Sequence, residues 1–135
     1  MSYIKGLCVF CLSIILSCNS SDNGFEEASL HKCEYMLLSS DVQLLDVRTY
    51  DEYKYDWIEG AVLIDSYSNN FVEKLDTFNK NQRLIVYCSN GTRSSKVCSL
   101  LVSHGFSKVF KMKGGIEGWN IHGKKLSGPV EDIKK

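Results

Sequence analysis

The stretch that most constrains the fold is an apolar strand that ends in a cysteine and is followed by a short polar loop and a helix. Residues 84–87 are apolar and β-branched, which is typical of a buried strand. Residues 94–104 carry apolar side chains at helical spacing, and Gly105 then ends the helix. Cys88 therefore lies at the C-terminal tip of a strand, where ligands bind in open parallel sheets.

The loop that follows Cys88 is suited to hold a thiolate and to meet an anion. N–H groups at a helix N-terminus are unpaired, and the helix dipole adds about half a positive charge there. Such surroundings lower the pKa of a cysteine below its free value of about 8.5. Gly91 lets successive N–H groups converge, and Arg93 adds a full charge or a bidentate clamp. We predict that Cys88 is an activated nucleophile; the alternative is a buried structural cysteine.

Outside this loop, the sequence pattern predicts an alternation of strands and helices. An amphipathic helix is expected over residues 25–39, and a short helix or turn over 50–57. Two further helices are expected, one from about residue 70 to 78 and a short one over 114–119. The remaining strands are predicted at residues 43–47, 61–64 and 108–112.

Four motifs in this chain resemble, in order, those of the rhodanese-like family of sulfurtransferases. The loop has the family's cysteine, four intervening residues and arginine ahead of a helix. Residues 44–53 are similar to its first strand and turn, 58–64 to its "H-I-x-G-A" segment and 114–119 to its "G-G-x-x-x-W". The resemblance implies an α/β, rhodanese-like fold. In that fold a mostly parallel five-stranded sheet is flanked by helices, and the active loop lies at the C-terminal end of a strand.

The resemblance also implies a role for each matched residue. Cys88 would be the catalytic nucleophile. Arg48 would form a structural ion pair with Glu52, and Asp46 would orient the loop rather than act as an acid or base. The residues expected to bind substrate are Ser89, Asn90, Gly91, Thr92, Arg93 and Ser94. Those expected to support the site are Asp46, Arg48, Glu52, Gly114 and Trp119.

Three classes of function compete for such a loop. In sulfur transfer, the Cys88 thiolate takes sulfane sulfur from thiosulfate, a polysulfide or a persulfide and passes it from a persulfide to a thiophilic acceptor. Cysteine phosphatases and arsenate reductases are a second class, but the phosphatases have one residue more between cysteine and arginine. The third is a non-enzymatic persulfide carrier or binding module. We favour sulfur transfer, with a high KM for thiosulfate because Arg93 is the only cation of the loop.

The N-terminus predicts export. Lys5 precedes an apolar run over residues 6–16, which is too short to span a membrane and matches a signal peptide. Residues 15–18 resemble the lipobox of bacterial lipoproteins, which implies a lipid on Cys18; an ordinary signal peptide is the alternative. We expect a signal peptide at 1–17, a polar tether at 18–25, the domain at 26–125 and a tail at 126–135. The domain would be anchored to a bacterial membrane, in the periplasm or at the cell surface.

Charge and cysteine usage narrow the expected partners. The chain has 16 basic and 16 acidic residues, so nothing points to nucleic acid. We expect a small sulfur-containing anion and a thiol acceptor as partners, no cofactor, and a monomer. The histidines lack metal-ligand spacing, so no metal is expected. Cys33 and Cys98 are predicted to lie in the core.

Overall fold

The computed structural model describes residues 23–129 as five strands and five helices. The predictions of a signal peptide and of a lipid on Cys18 lie outside the described residues and stay predictions. Within residues 23–129, no helix is long and apolar enough to cross a membrane. The elements, in chain order, are β1 (Glu26–Ala28), α1 (Leu30–Met36), β2 (Val42–Asp46), α2 (Tyr50–Tyr53), β3 (Ala61–Leu63), α3 (Phe71–Leu75), β4 (Arg83–Tyr87), α4 (Thr92–Ser103), β5 (Val109–Met112) and α5 (Gly115–Ile121).

The strands form one parallel sheet in the order β1-β5-β4-β2-β3. The predicted five-stranded α/β fold is therefore confirmed. In a parallel sheet all C-terminal strand ends meet at one edge. β4 is the central strand, so Cys88, which follows it directly, lies at the middle of that edge.

The core lies on both faces of the sheet, as a parallel sheet covered by helices requires. Alternate residues of β4 face opposite sides. Leu84 and Val86 pack with residues of α3 and α4, and Cys88 belongs to the same cluster. Ile85 and Tyr87 pack with residues of α1 and α5 on the other face.

The prediction of a helix over residues 25–39 was wrong at its start. Residues Glu26–Ala28 form β1, which extends the sheet by pairing with β5, and the helix covers only Leu30–Met36. Ser29 explains the boundary, because its extended backbone and its side chain, which accepts from the N–H of Lys32 at 3.2 Å, cap the helix there. The strand is too short for its period-2 pattern to be distinguished in the sequence.

Candidate active site

The Cys88 sulfur lies at the N-terminus of α4 and accepts hydrogen bonds from the loop that surrounds it. The N–H of Gly91 donates at 3.1 Å and that of Ser94 at 3.5 Å, and the Ser94 hydroxyl lies 3.6 Å away. Both Cys88 and Ser94 are fully buried. Two residues predicted to bind substrate, Gly91 and Ser94, therefore contact the sulfur itself.

These contacts favour the thiolate form of Cys88. Burial by itself would raise the pKa of the thiol, but the hydrogen bonds from Ser94, Gly91 and the Arg93 N–H outweigh it, and the net pKa is lowered. Burial instead raises the pKa of both Cys33 and Cys98 to about 12. Both are buried core residues, as predicted, and within residues 23–129 neither forms a disulfide.

These differences predict that one thiol of the folded protein is selectively reactive. Iodoacetamide at neutral pH should alkylate Cys88 well before Cys33 or Cys98, because the thiolate is the nucleophile and only Cys88 has a lowered pKa. Its alkylation rate should reach half its maximum below about pH 8.5, the value for a free cysteine. Peptide mapping of a soluble form that begins at Asn19, sampled over time, measures each rate. Equal rates at the three thiols would contradict the assignment.

The loop is shaped by Gly91 and by serines at the start of α4. Gly91 has φ +101°, which favours glycine, and caps α4. Its carbonyl accepts from the hydroxyls of Ser94 and Ser95, both at 3.0 Å. This arrangement turns the N–H groups of the loop toward the sulfur and leaves its carbonyl on the other side.

Backbone N–H groups at the N-terminus of α5 donate hydrogen bonds to the active loop. The N–H of Ile116 donates to the Cys88 carbonyl at 2.9 Å, and that of Glu117 donates to the Ser89 carbonyl at 3.0 Å. Gly115 makes this approach possible, because a Cβ there would lie within 3.0 Å of both carbonyl oxygens. Gly114, predicted to support the site, caps α5 with φ +76°. Sequence reasoning recognised Gly114 but missed Gly115, although the Gly-Gly pair was the available signal.

A hydrogen-bonded cluster of Glu52, Arg93 and Ser89 lies beside the sulfur; we refer to it as the Glu52 cluster. Arg93 binds Glu52 through two nitrogens, Nη1 to Oε2 at 2.7 Å and Nη2 to Oε1 at 2.6 Å. Ser89 donates to Oε1 at 2.6 Å and accepts from Arg93 Nη2 at 2.8 Å. The Arg93 guanidinium, with the Ser89 hydroxyl, holds the pKa of Glu52 well below its usual range.

The implied ion pair between Arg48 and Glu52 is absent, and this prediction was wrong. Arg48 instead binds Asp46, with Nη2 2.8 Å from Oδ2, and Asp56, with Nη1 3.0 Å from Oδ1. Arg48 and Asp46 are two residues apart at a strand end, so their side chains share one side and are buried together. Glu52 is occupied elsewhere, because it also completes a capping box with Thr49 at the start of α2.

The remaining predicted residues make contacts with groups other than the sulfur. Asn90 and Thr92 are exposed, and the Asn90 side chain accepts from the N–H of Thr92 at 3.1 Å. Trp119 is buried in the core on the face of α1 and α5, and its indole N–H donates to the Lys125 carbonyl at 3.0 Å. Sequence reasoning also missed Tyr87, whose buried hydroxyl accepts from the N–H of Ile58 at 3.2 Å.

Two open cavities flank the Glu52 cluster. One, of about 290 Å³, is lined by Glu52 and Ser89 together with further charged residues. The other, of about 230 Å³, is lined by Arg93 and Lys96 and by apolar side chains. The site can thus hold a buried thiolate with donors around it, next to an ion pair that faces two cavities. Among residues 23–129, no group of three or more His, Cys, Asp or Glu is arranged to hold a metal ion.

Comparison with known proteins connects this geometry to a family. The family model described as "Rhodanese-like domain" matches residues 29–122. A thiosulfate sulfurtransferase GlpE of Coxiella burnetii is 34% identical over 96 residues, covering 70% of this chain and 82% of that protein. A protein of the same name from Glaesserella parasuis is 30% identical over 95 residues, covering 70% and 86%.

Two solved structures are similar to this chain. A rhodanese-like domain protein from Staphylococcus aureus superposes with a TM-score of 0.67 at 30% identity, covering 78% of this chain and all of that one. A rhodanese-related protein from Thermoplasma volcanium reaches a TM-score of 0.68 at 20% identity, covering 76% and 98%, and supports the fold alone.

Proposed function

The chain belongs to the rhodanese-like family of sulfurtransferases, and from that membership we propose that Cys88 carries sulfane sulfur as a persulfide between a donor and a thiophilic acceptor. The observation that supports the proposal is the pair of backbone donors aimed at Sγ, the N–H groups of Gly91 and Ser94. A thiolate that is stabilised in this way is an activated nucleophile.

The reaction we propose has two displacement steps. With thiosulfate, the Cys88 thiolate attacks the outer sulfur, the sulfur–sulfur bond breaks, and sulfite leaves with the electron pair. In the second step cyanide or a thiolate attacks the outer sulfur of the persulfide, and the Cys88 thiolate leaves. The donors around Cys88 are set in place by the fold before the reaction, so they can stabilise negative charge on sulfur without reorganisation.

The donors around the Cys88 sulfur also argue against phosphate as the substrate. Only Ser89, Asn90, Gly91 and Thr92 separate Cys88 from Arg93. Two backbone N–H groups of this short loop already point at a single sulfur. Arg93, which a phosphate would need as its partner, is engaged with Glu52. These contacts favour stabilisation of negative charge on the cysteine sulfur over the binding of a phosphate group.

A direct test is the appearance of one added sulfur on Cys88. The soluble form beginning at Asn19 is incubated with thiosulfate or with inorganic polysulfide, and excess donor is removed. Peptide mass spectrometry should find one added sulfur on the peptide that contains Cys88, and cyanide should remove it as thiocyanate. Cys33 and Cys98 serve as internal controls, because they are equally buried but have raised pKa values. Absence of the adduct with both donors would contradict the proposal.

A further inference from the structure

Resting on this proposed function, we infer that Glu52 sets the choice of sulfur donor. By neutralising Arg93, it disfavours dianionic donors such as thiosulfate and favours hydropersulfides of organic thiols, whose leaving group is a thiolate. Glu52 does not touch the reacting atoms and acts through Arg93, so it is a positioning and specificity residue rather than a catalytic one.

The contacts show that Arg93 is not available as a free anion-binding cation. Both of its terminal nitrogens bind the Glu52 carboxylate, and Nη2 also donates to Ser89. A bidentate pair of this kind is the strong form of a side-chain hydrogen bond. The Glu52 carboxylate and the Cys88 thiolate both contribute to a raised pKa of Arg93, and the largest cause is the hydrogen bonding that Arg93 donates to Glu52. Arg93 therefore interacts with two negative groups before any donor arrives.

The charge sum of the site follows from these contacts. The Cys88 thiolate and the Glu52 carboxylate are negative and Arg93 is positive, which leaves one net negative charge beside the sulfur. Thiosulfate carries two negative charges, and like charges repel at close range inside a partly buried site. The protonated form of a hydropersulfide is neutral and meets no such barrier, and its anion carries one negative charge rather than two.

The cavity on the Glu52 side strengthens this effect. Besides Glu52, its lining includes the carboxylates of Asp56 and Glu117, against the single cation Arg48. Arg48 is itself paired with Asp46 and Asp56. The opposite cavity offers Lys96, but that side chain is exposed and its charge is screened by solvent.

The favoured transfer step balances without an added reactant. The Cys88 thiolate attacks the outer sulfur of a hydropersulfide RS–SH. A bond from Sγ to that sulfur forms while the RS–S bond breaks, and the electron pair leaves with the thiolate RS⁻. The proton stays on the transferred sulfur, so the net charge is the same before and after the step.

The test is to compare two donors in the Glu52→Gln variant of the soluble form, with cyanide as acceptor. Glutamine at this position can still complete the capping box with Thr49, so the variant should fold. Removing the carboxylate frees Arg93 for the donor. We expect kcat/KM for thiosulfate to rise about tenfold, mainly through KM. For 2-hydroxyethyl hydropersulfide it should change by less than about twofold.

Two further variants separate this effect from a general change of charge or structure. Asp51→Asn removes the same charge from α2 at a side chain whose one ion pair among residues 23–129 is with Lys54, and it should leave both donors unaffected. In Glu52→Gln combined with Arg93→Gln, the gain for thiosulfate should disappear, because it depends on the freed guanidinium. Raising the ionic strength should speed the wild-type reaction with thiosulfate, since salt screens the repulsion, and should speed the Glu52→Gln reaction less.

The outcomes distinguish the two proposals. If the wild-type protein forms no Cys88 persulfide with either donor, the proposed function fails and this inference fails with it. If sulfur transfer occurs but Glu52→Gln leaves thiosulfate use unchanged, lowers it, or alters both donors by the same factor, only the role of Glu52 is overturned. A gain that persists without Arg93 would overturn it as well.

Discussion

Replacing Cys88 with serine is expected to reduce thiocyanate formation by about a thousandfold or more, because it removes the group on which both displacement steps occur. A serine hydroxyl is not ionised at neutral pH and cannot carry sulfane sulfur as a persulfide. The loop should keep its shape, since the Gly91 carbonyl still accepts from the serines at the start of α4 and a serine oxygen at position 88 can accept from the N–H groups that now donate to Sγ. The measurement is steady-state thiocyanate release from cyanide with both thiosulfate and an organic hydropersulfide.

The matched controls are alanine substitutions at the other two thiols. Cys33→Ala and Cys98→Ala each remove a buried thiol from the core at a position outside the active loop. Both should keep most of the wild-type turnover, provided that thermal unfolding shows that they remain folded. Retention of the wild-type rate by Cys88→Ser, or its loss in a folded Cys98→Ala, would mean that Cys88 is not the sulfur carrier.

The parts of the fold that the sequence predicted are those governed by local rules. The apolar run before Cys88 and the spacing of the helix after it are short-range patterns, so the strand, loop and helix were all predicted. The contacts of Gly91 and Ser94 with the sulfur were predictable for the same reason. Both donors lie at the N-terminus of α4, within six residues of Cys88 in the chain.

The parts that the sequence did not predict depend on contacts between distant residues. Arg93 and Glu52 are 41 positions apart, and nothing near either of them identifies the other as its partner. The implied pair of Arg48 with Glu52 was wrong for a related reason. Asp46, Asp51 and Asp56 also lie close to Arg48 in the chain. Only the fold shows that Asp46 is buried beside it. The donor specificity that we propose for the site therefore depends on tertiary contacts rather than on the motif of the loop.

The second large effect is expected at Gly115, where Gly115→Ala should destabilise the domain by about 3 kcal/mol and lower its Tm by about 10 °C. The residue has φ +58°, which alone costs a non-glycine residue about 1–2 kcal/mol. An added Cβ would also meet the carbonyl oxygens of Cys88 and Ser89 within 3.0 Å. Since both contacts are backbone atoms, the active loop itself must move.

Gly123→Ala is the matched control for this prediction. Gly123 has a similar φ of +67°, but a Cβ there meets no atom of the described residues within 4 Å. The loss of stability of Gly123→Ala therefore measures only the cost of a positive φ in a non-glycine residue, about 1–2 kcal/mol. The difference between the two variants isolates the close approach of α5 to the loop.

The same displacement should reduce sulfur transfer beyond the loss of stability. The N–H groups of Ile116 and Glu117 fix the carbonyls of Cys88 and Ser89. A shift of these carbonyls therefore moves Sγ relative to its donors at Gly91 and Ser94. At a temperature where Gly115→Ala is folded, the rate of persulfide formation should fall about tenfold or more, and that of Gly123→Ala should not. Equal stability and equal rates in the two variants would show that the loop does not depend on its contact with α5.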